Sequence, residues 1–260
     1  MSSSQLLQGL IPIAEGAGRT LHVRDVDKSF GGVRALQSCT FDVSARKITA
    51  LIGPNGSGKT TAFNCISGFY VPDSGAVMLG DRKISGWSPS RIVHQRVART
   101  FQITRVFKRM SVLENMVVPV RRTGLKAMFW DGIQGHERAR AERLLEFVGL
   151  SRLIDDEAGH LSFGQQKLLE LAAALMAEPE IMLLDEPSGG LNPIMIDRLA
   201  GYIRELNQLG VTFLIVEHNM GFVMRLADEV VVLHHGSVIS HGRPADVRAD
   251  PAVLEAYLGN

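Results

Sequence analysis

The stretch ITALIGPNGSGKTTAFNCISGF, residues 48–69, puts a compact apolar run, a glycine-rich turn and a helix-like segment in immediate succession. An apolar run of that length, ended by glycine, reads as a strand buried on both faces. Gly53 to Thr60 satisfies G-x-x-x-x-G-K-[ST]: the glycines let successive backbone N–H groups curl round a β-phosphate, Lys59 reaches the β- and γ-phosphates, and the Thr60 hydroxyl ligates magnesium. Strand, glycine loop and helix in that order form a phosphate-binding unit, with Gly53, Pro54, Asn55, Gly56, Ser57, Gly58, Lys59, Thr60 and Thr61 as its nucleotide-binding candidates.

The flanking sequence extends this unit into an α/β fold. IMLLD (181–185) and VTFLIVEH (211–218) bracket a helical pattern from Ile194 to Leu209, so the second half reads as β-α-β with parallel strands. Leu21 to Val43 shows short alternating segments broken at Gly31-Gly32, an N-terminal antiparallel β layer. EVVVLHHGSVISHG reads as a hairpin turning near Gly236, followed by a terminal helix from Pro251 to Leu258. From about Ser111 to Met176 the spacing is helical, with arginine and glutamate on the polar faces, and this predicts an α-helical subdomain inserted at about 105–177. Residues 121–134 fit no element. Residues 1–20, broken by Gln8, Gly9 and Glu15 and without a basic start, read as a mobile tail and not a secretion signal, leaving 21–260 as one domain.

Composition narrows the function. The 260 residues are 45% apolar and 21% charged, near globular averages, which argues against disordered and disulfide-dense classes. A net charge of +1 gives no bulk field for wrapping nucleic acid. Two cysteines, Cys39 and Cys65, exclude a stapled framework or a four-cysteine zinc site and fit a reducing compartment. No apolar run approaches the roughly 20 residues of a membrane-spanning helix. His234, His235 and His241 fall round a turn without ligand spacing and read as solvated.

Two further motifs carry chemistry. In IMLLDEP the strand ends in two carboxylates: Asp185 is placed to hold magnesium through water and Glu186 to face the γ-phosphate and polarise a water. In LSFGQQ, Ser162 caps the helix that follows and leaves a backbone nest at its start. Taken singly, each also has an ordinary structural reading, as a capped strand and a capped helix.

Phosphate loop, RTFQ, LSFGQQ, LLDEP, GGLNP and a strand ending at His218, in that order, resemble the ATP-binding cassette family from Leu21 onward. FGGVRAL, GFYVPDSG, RTFQITRVFKRMSVLENM, SGGLNP and LEAYLG look like the ATPase subunits of branched-chain amino acid importers, with urea importers as close relatives. The resemblance implies that Phe30 stacks on adenine, that Gln102 contacts magnesium and water, that Ser162, Gly164 and Gln165 bind the γ-phosphate of an opposite subunit, and that His218 acts in catalysis with Glu186 and Lys59. Without it, Phe30 would be read as core, Gln102 as solvated and His218 as hydrogen-bonded. Three positions depart from the family pattern: Phe163 replaces the first signature glycine, and Asn192 and Asn219 stand where aspartate is frequent. The implied function is an ATPase, using ATP and Mg2+, that powers an importer. Its partners would be a second cassette, identical or different, membrane permease subunits, and indirectly a solute-binding protein, with no nucleic acid. It would sit peripherally on the cytoplasmic face of the membrane. A nucleic-acid or ribosome-associated cassette ATPase and a P-loop kinase are the other classes left open.

Overall fold

In the computed structural model, which describes residues 18–100, 106–118, 133 and 135–258, two sheets meet behind the phosphate loop. The antiparallel one comprises β1 (Leu21–Phe30), β2 (Val33–Val43), β4 (Ser74–Leu79) and the two-residue β5 (Arg82–Lys83), in the order β2-β1-β4-β5. β1 and β2 form a hairpin whose last pair is Phe30 with Val33, so the turn falls at Gly31-Gly32 as the alternation predicts.

The second sheet runs β10-β9-β3-β8-β7-β6, built from β3 (Ile48–Ile52), β6 (Val97–Arg99), β7 (Ile181–Asp185), β8 (Thr212–Val216), β9 (Glu229–His234) and β10 (Ser237–Gly242). Its strands are parallel except for the β9–β10 edge hairpin. Every residue of β3, β7 and β8 is buried, which is why these strands read as unbroken apolar runs. Each fully buried Val, Leu or Ile contributes roughly 1.5–3 kcal/mol. One consequence positions the site: β8 lies between β3 and β7, so the loops leaving all three emerge side by side at one sheet edge.

Helix α1 (Lys59–Ile66) follows the phosphate loop and buries Phe63 and Ile66 against both sheets; α2 (Pro89–Val93) precedes β6. Among the described residues of the middle segment the regular elements are helices: α3 (Val112–Val117), α4 (Gly135–Phe147) and α5 (Phe163–Leu175), with two short 3-10 turns. Their apolar faces share one core with α6 (Pro193–Gln208) and the neighbouring face of the large sheet. After β8 come α7 (Met220–Leu226), α8 (Pro244–Ala249) and α9 (Pro251–Leu258). The terminal helix has the bounds expected from its pattern. Of the sequence expectations, the tail up to residue 17, most of 121–134 and Gln102 lie outside the described residues.

Candidate nucleotide site

Two glycines of the phosphate loop are dictated by packing. Gly53 has φ +150, and a Cβ there would collide with the carbonyl oxygen of Leu233 on β9. Gly58, with φ +104 at the start of α1, would drive a Cβ into the carbonyl oxygen of Ala35 on β2. The loop therefore lies flat against both sheets, tied by Gly236 N donating to Ser57 O at 2.9 Å. Lys59 is buried, its Nζ donating to Gly53 O at 2.8 Å and Pro54 O at 2.9 Å. Burial lowers its pKa below the usual lysine value, and the charge of Glu186 acts in the opposite direction. Thr60 is exposed and Thr61 half-buried.

Asp185 closes β7 in a buried position. Arg99, at the end of β6, donates to its Oδ2 at 3.1 Å and also to Asn64 Oδ1 and Ser67 Oγ, each at 2.7 Å, on and just beyond α1. Burial raises the Asp185 pKa, and the Arg99 guanidinium is the largest influence opposing it. Arg99 thus links the phosphate-loop helix to the first carboxylate. Sequence reasoning passed over it, although it opens the quoted RTFQ.

Glu186 adopts φ +45, a left-handed conformation that costs a non-glycine residue of order 1–3 kcal/mol. Its N–H donates to Val216 O at 2.9 Å, and its carbonyl accepts from Gly189 N at 3.1 Å. These bonds turn the chain sharply so that the carboxylate comes within 3.6 Å of His218 Nδ1. That separation exceeds direct hydrogen-bond contact, and the imidazole is 63% exposed. Phe30 is 42% exposed and packs edge-on to Tyr70, with ring centroids 5.1 Å apart, so the core reading of this phenylalanine fails. The Lys28 amine lies over the ring, 5.4 Å from its centroid.

The signature segment opens α5 with a reciprocal cap: Gln165 N donates to Ser162 Oγ at 3.3 Å, and Ser162 N donates to Gln165 Oε1 at 2.9 Å. Within its own chain this segment packs toward the loop after β7. A Cβ on Gly190 would touch the Phe163 ring at 2.9 Å, and one on Gly164 would touch Met195 at 3.0 Å. Lys59, Asp185, Glu186 and His218 are brought together; in the signature segment Gly164 instead lies against Met195 of α6 and Phe163 against Gly190. The two asparagine departures have one structural role in common. Asn192 Oδ1 accepts from Met195 N and Asn219 Oδ1 from Phe222 N, capping α6 and α7 as aspartate would.

The oxygen-rich set of Thr60 and Asp185 suits Mg2+, which takes one or two protein oxygens and completes its shell with phosphate and water. Among the described residues no cluster of three or more His, Cys, Asp or Glu could hold a metal ion. The Ser57 hydroxyl, buried inside the loop with no hydrogen-bond partner among the described residues, is a further group that a phosphate would satisfy.

A strand-loop-helix phosphate cradle beside an acid pair on a parallel strand defines a P-loop nucleotide-binding protein. The comparisons with known proteins narrow the class: a family model described as ABC transporter matches residues 36–189, and a second, branched-chain amino acid ATP-binding cassette transporter, matches 237–260. The chain is 38% identical over 249 residues to the high-affinity branched-chain amino acid transport ATP-binding protein LivG of Salmonella typhimurium, covering 92% of this chain and 97% of that protein. It is equally 38% identical over 258 residues to BraF of Pseudomonas aeruginosa, covering 95% and 98%. The ADP conformation of MJ1267, an ATP-binding cassette of an ABC transporter, superposes with a TM-score of 0.84 at 35% identity, covering 93% of this chain and 99% of that one. This chain belongs to the ABC transporter family, as an ATPase.

Proposed function

We propose that the chain is the ATP-hydrolysing subunit of a membrane importer for branched-chain amino acids. The observation that carries the substrate class is the full-length likeness to LivG and BraF, joined to a terminal segment that matches the branched-chain cassette family on its own. Among the described residues no helix is long and apolar enough to cross a membrane, so separate permease subunits would form the pathway and this chain would sit against their cytoplasmic side. A cavity of about 320 Å³ between β6 and α5, lined by Ala98, Phe107, Val118, Leu169 and Ala173, offers an apolar seat for a permease segment.

In the proposed cycle the loop from Gly53 to Thr61 wraps the β- and γ-phosphates and Lys59 neutralises their charge. Thr60 and Asp185, joined by Gln102 as the family resemblance implies, would hold Mg2+, which would supply electrostatic stabilisation of the transferring phosphoryl group. Glu186 takes a proton from the attacking water, and His218 orients the water and the γ-phosphate from the other side. Ser162, Gly164 and Gln165 complete the phosphate site of a second cassette, identical or different, so that a single chain hydrolyses ATP poorly.

Two substitutions separate binding from stacking. Lys59→Ala is expected to weaken nucleotide binding sharply, whereas Phe30→Ala raises KM for ATP with little change in kcat. Base stacking on an aromatic ring is worth about 1–3 kcal/mol, with an exposed ring at the low end, so roughly a five- to tenfold rise is expected. An unchanged KM in Phe30→Ala would remove the ring from the site.

The test of the assignment is purification from detergent extracts followed by reconstitution. Permease subunits should accompany the protein, and proteoliposomes with the matching binding protein should accumulate leucine in an ATP-dependent way. Uptake of urea in place of leucine would reassign the substrate, and recovery with ribosomes or nucleic acid would overturn the transporter reading.

A further inference from the structure

We infer that Glu217 is a positioning residue whose carboxylate ties the loop after Glu186 to the His218 turn, holding the proposed base and histidine as one unit. The inference rests on the proposed roles of Glu186 and His218. Glu217 is fully buried, and among the described residues the three hydrogen bonds it accepts all come from backbone N–H groups. Oε1 accepts from Ser188 N at 2.8 Å; Oε2 accepts from His218 N and Asn219 N, each at 3.1 Å. A carboxylate withdrawn from water is costly unless its lone pairs are used, and here each oxygen serves a different loop.

The two loops carry the reacting groups. Ser188 lies two residues beyond Glu186, in the turn closed by Gly189 N donating to Glu186 O at 3.1 Å. On the other side, the bonds to His218 N and Asn219 N bend the chain directly after β8, just ahead of the α7 cap. Glu217 N in turn donates to Leu51 O at 3.3 Å, on the strand that leads into the phosphate loop. One side chain therefore references the Glu186 turn and the histidine turn to the same point of the sheet. A neutral amide cannot replace it. Glutamine offers one acceptor, and its NH2 would face an N–H donor at whichever loop it meets, leaving that loop unheld.

The test compares Glu217→Gln and Glu217→Asp with wild type and with Glu186→Gln in the full-length protein. Glu217→Gln is expected to lower kcat on the order of 10- to 100-fold, the cost of displacing a catalytic group by about an ångström, while ATP affinity stays within about twofold. Glu217→Asp keeps the charge but is a methylene short, so it should fall with the glutamine variant. In wild type the amides of Ser188, His218 and Asn219 should exchange slowly with deuterated solvent, and in Glu217→Gln at least one side of the bridge should exchange roughly tenfold or more faster. Wild-type kcat in either Glu217 variant would overturn the inference, as would parallel loss of ATP affinity and kcat, or rapid exchange of all three amides in wild type. The exchange measurement on wild type decides the matter if the variants do not fold. An active Glu186→Gln would instead overturn the underlying site reading, so the two failures are distinguishable.

Discussion

Replacing Glu186 with glutamine is expected to stop turnover while ATP binding persists. The amide has the shape of the carboxylate and tolerates the same φ of +45, so the sharp turn after β7 survives, held by Glu186 N on Val216 O and by Gly189 N on the Glu186 carbonyl. What is lost is the ability to accept a proton from water, worth typically 10²- to 10⁴-fold in rate. His218, 3.6 Å from the carboxylate and 63% exposed, is not expected to take over this role. The variant should accumulate as an ATP-bound dimer, visible by light scattering, since closure is intact and only the reset fails. A pH signature accompanies this. Burial already lowers the Lys59 pKa and the Glu186 charge opposes that effect; removing the charge lets the pKa fall further. ATP affinity of Glu186→Gln should therefore begin to decline at a lower pH than that of wild type. Hydrolysis near the wild-type rate would take Glu186 out of the mechanism.

Those parts of the molecule that were legible in advance share a physical trait: their signals are local. β3, β7 and β8 are buried on both faces and so carry unbroken apolar runs, while the turns at Gly31-Gly32 and Gly236 announce themselves by residue type. The segment 74–99 carries no such local signal, because β5 has two residues, both exposed, and β6 has three that exist as a strand only through pairing with β7. Helix α2 is signalled by Ser88 followed by Pro89, a cap and a first-turn proline, and α7 by Asn219, which is both a departure from the family pattern and a cap. The same division runs through the site. The phosphate loop and the acid pair are contiguous motifs. Arg99 and Glu217 are not: Arg99 meets Asp185 across 86 residues and Glu217 meets Ser188 across 29, and neither spacing leaves a trace in the chain.

Gly164→Asp is expected to abolish both hydrolysis and ATP-induced dimerisation, and Phe163→Gly to leave them largely intact. Phe163 is the first residue of α5, is 46% exposed and lies over Gly190 of the same chain, so its side chain is already engaged away from the phosphate contact proposed for Ser162 and Gly164. Its loss removes that contact and up to about 1 kcal/mol of helix propensity, a cost in order at the helix start and not in chemistry. Position 164 has two neighbours to satisfy. A Cβ there would meet Met195 at 3.0 Å at its terminal methyl and 3.2 Å at Cγ, a clash that a flexible thioether can relieve. Gly164→Ala therefore serves as the control and should lose only a few-fold. Aspartate adds a charge: two like charges 4 Å apart repel by about 4 kcal/mol at an effective dielectric of 20, roughly a thousandfold in the affinity of the partner's γ-phosphate. The three variants are compared by ATPase rate and by dimer formation with ATP. If Gly164→Ala were as damaging as Gly164→Asp, packing on Met195 would account for the glycine; if Phe163→Gly were dead and Gly164→Asp active, a phosphate site shared between two cassettes would have to be abandoned for this chain.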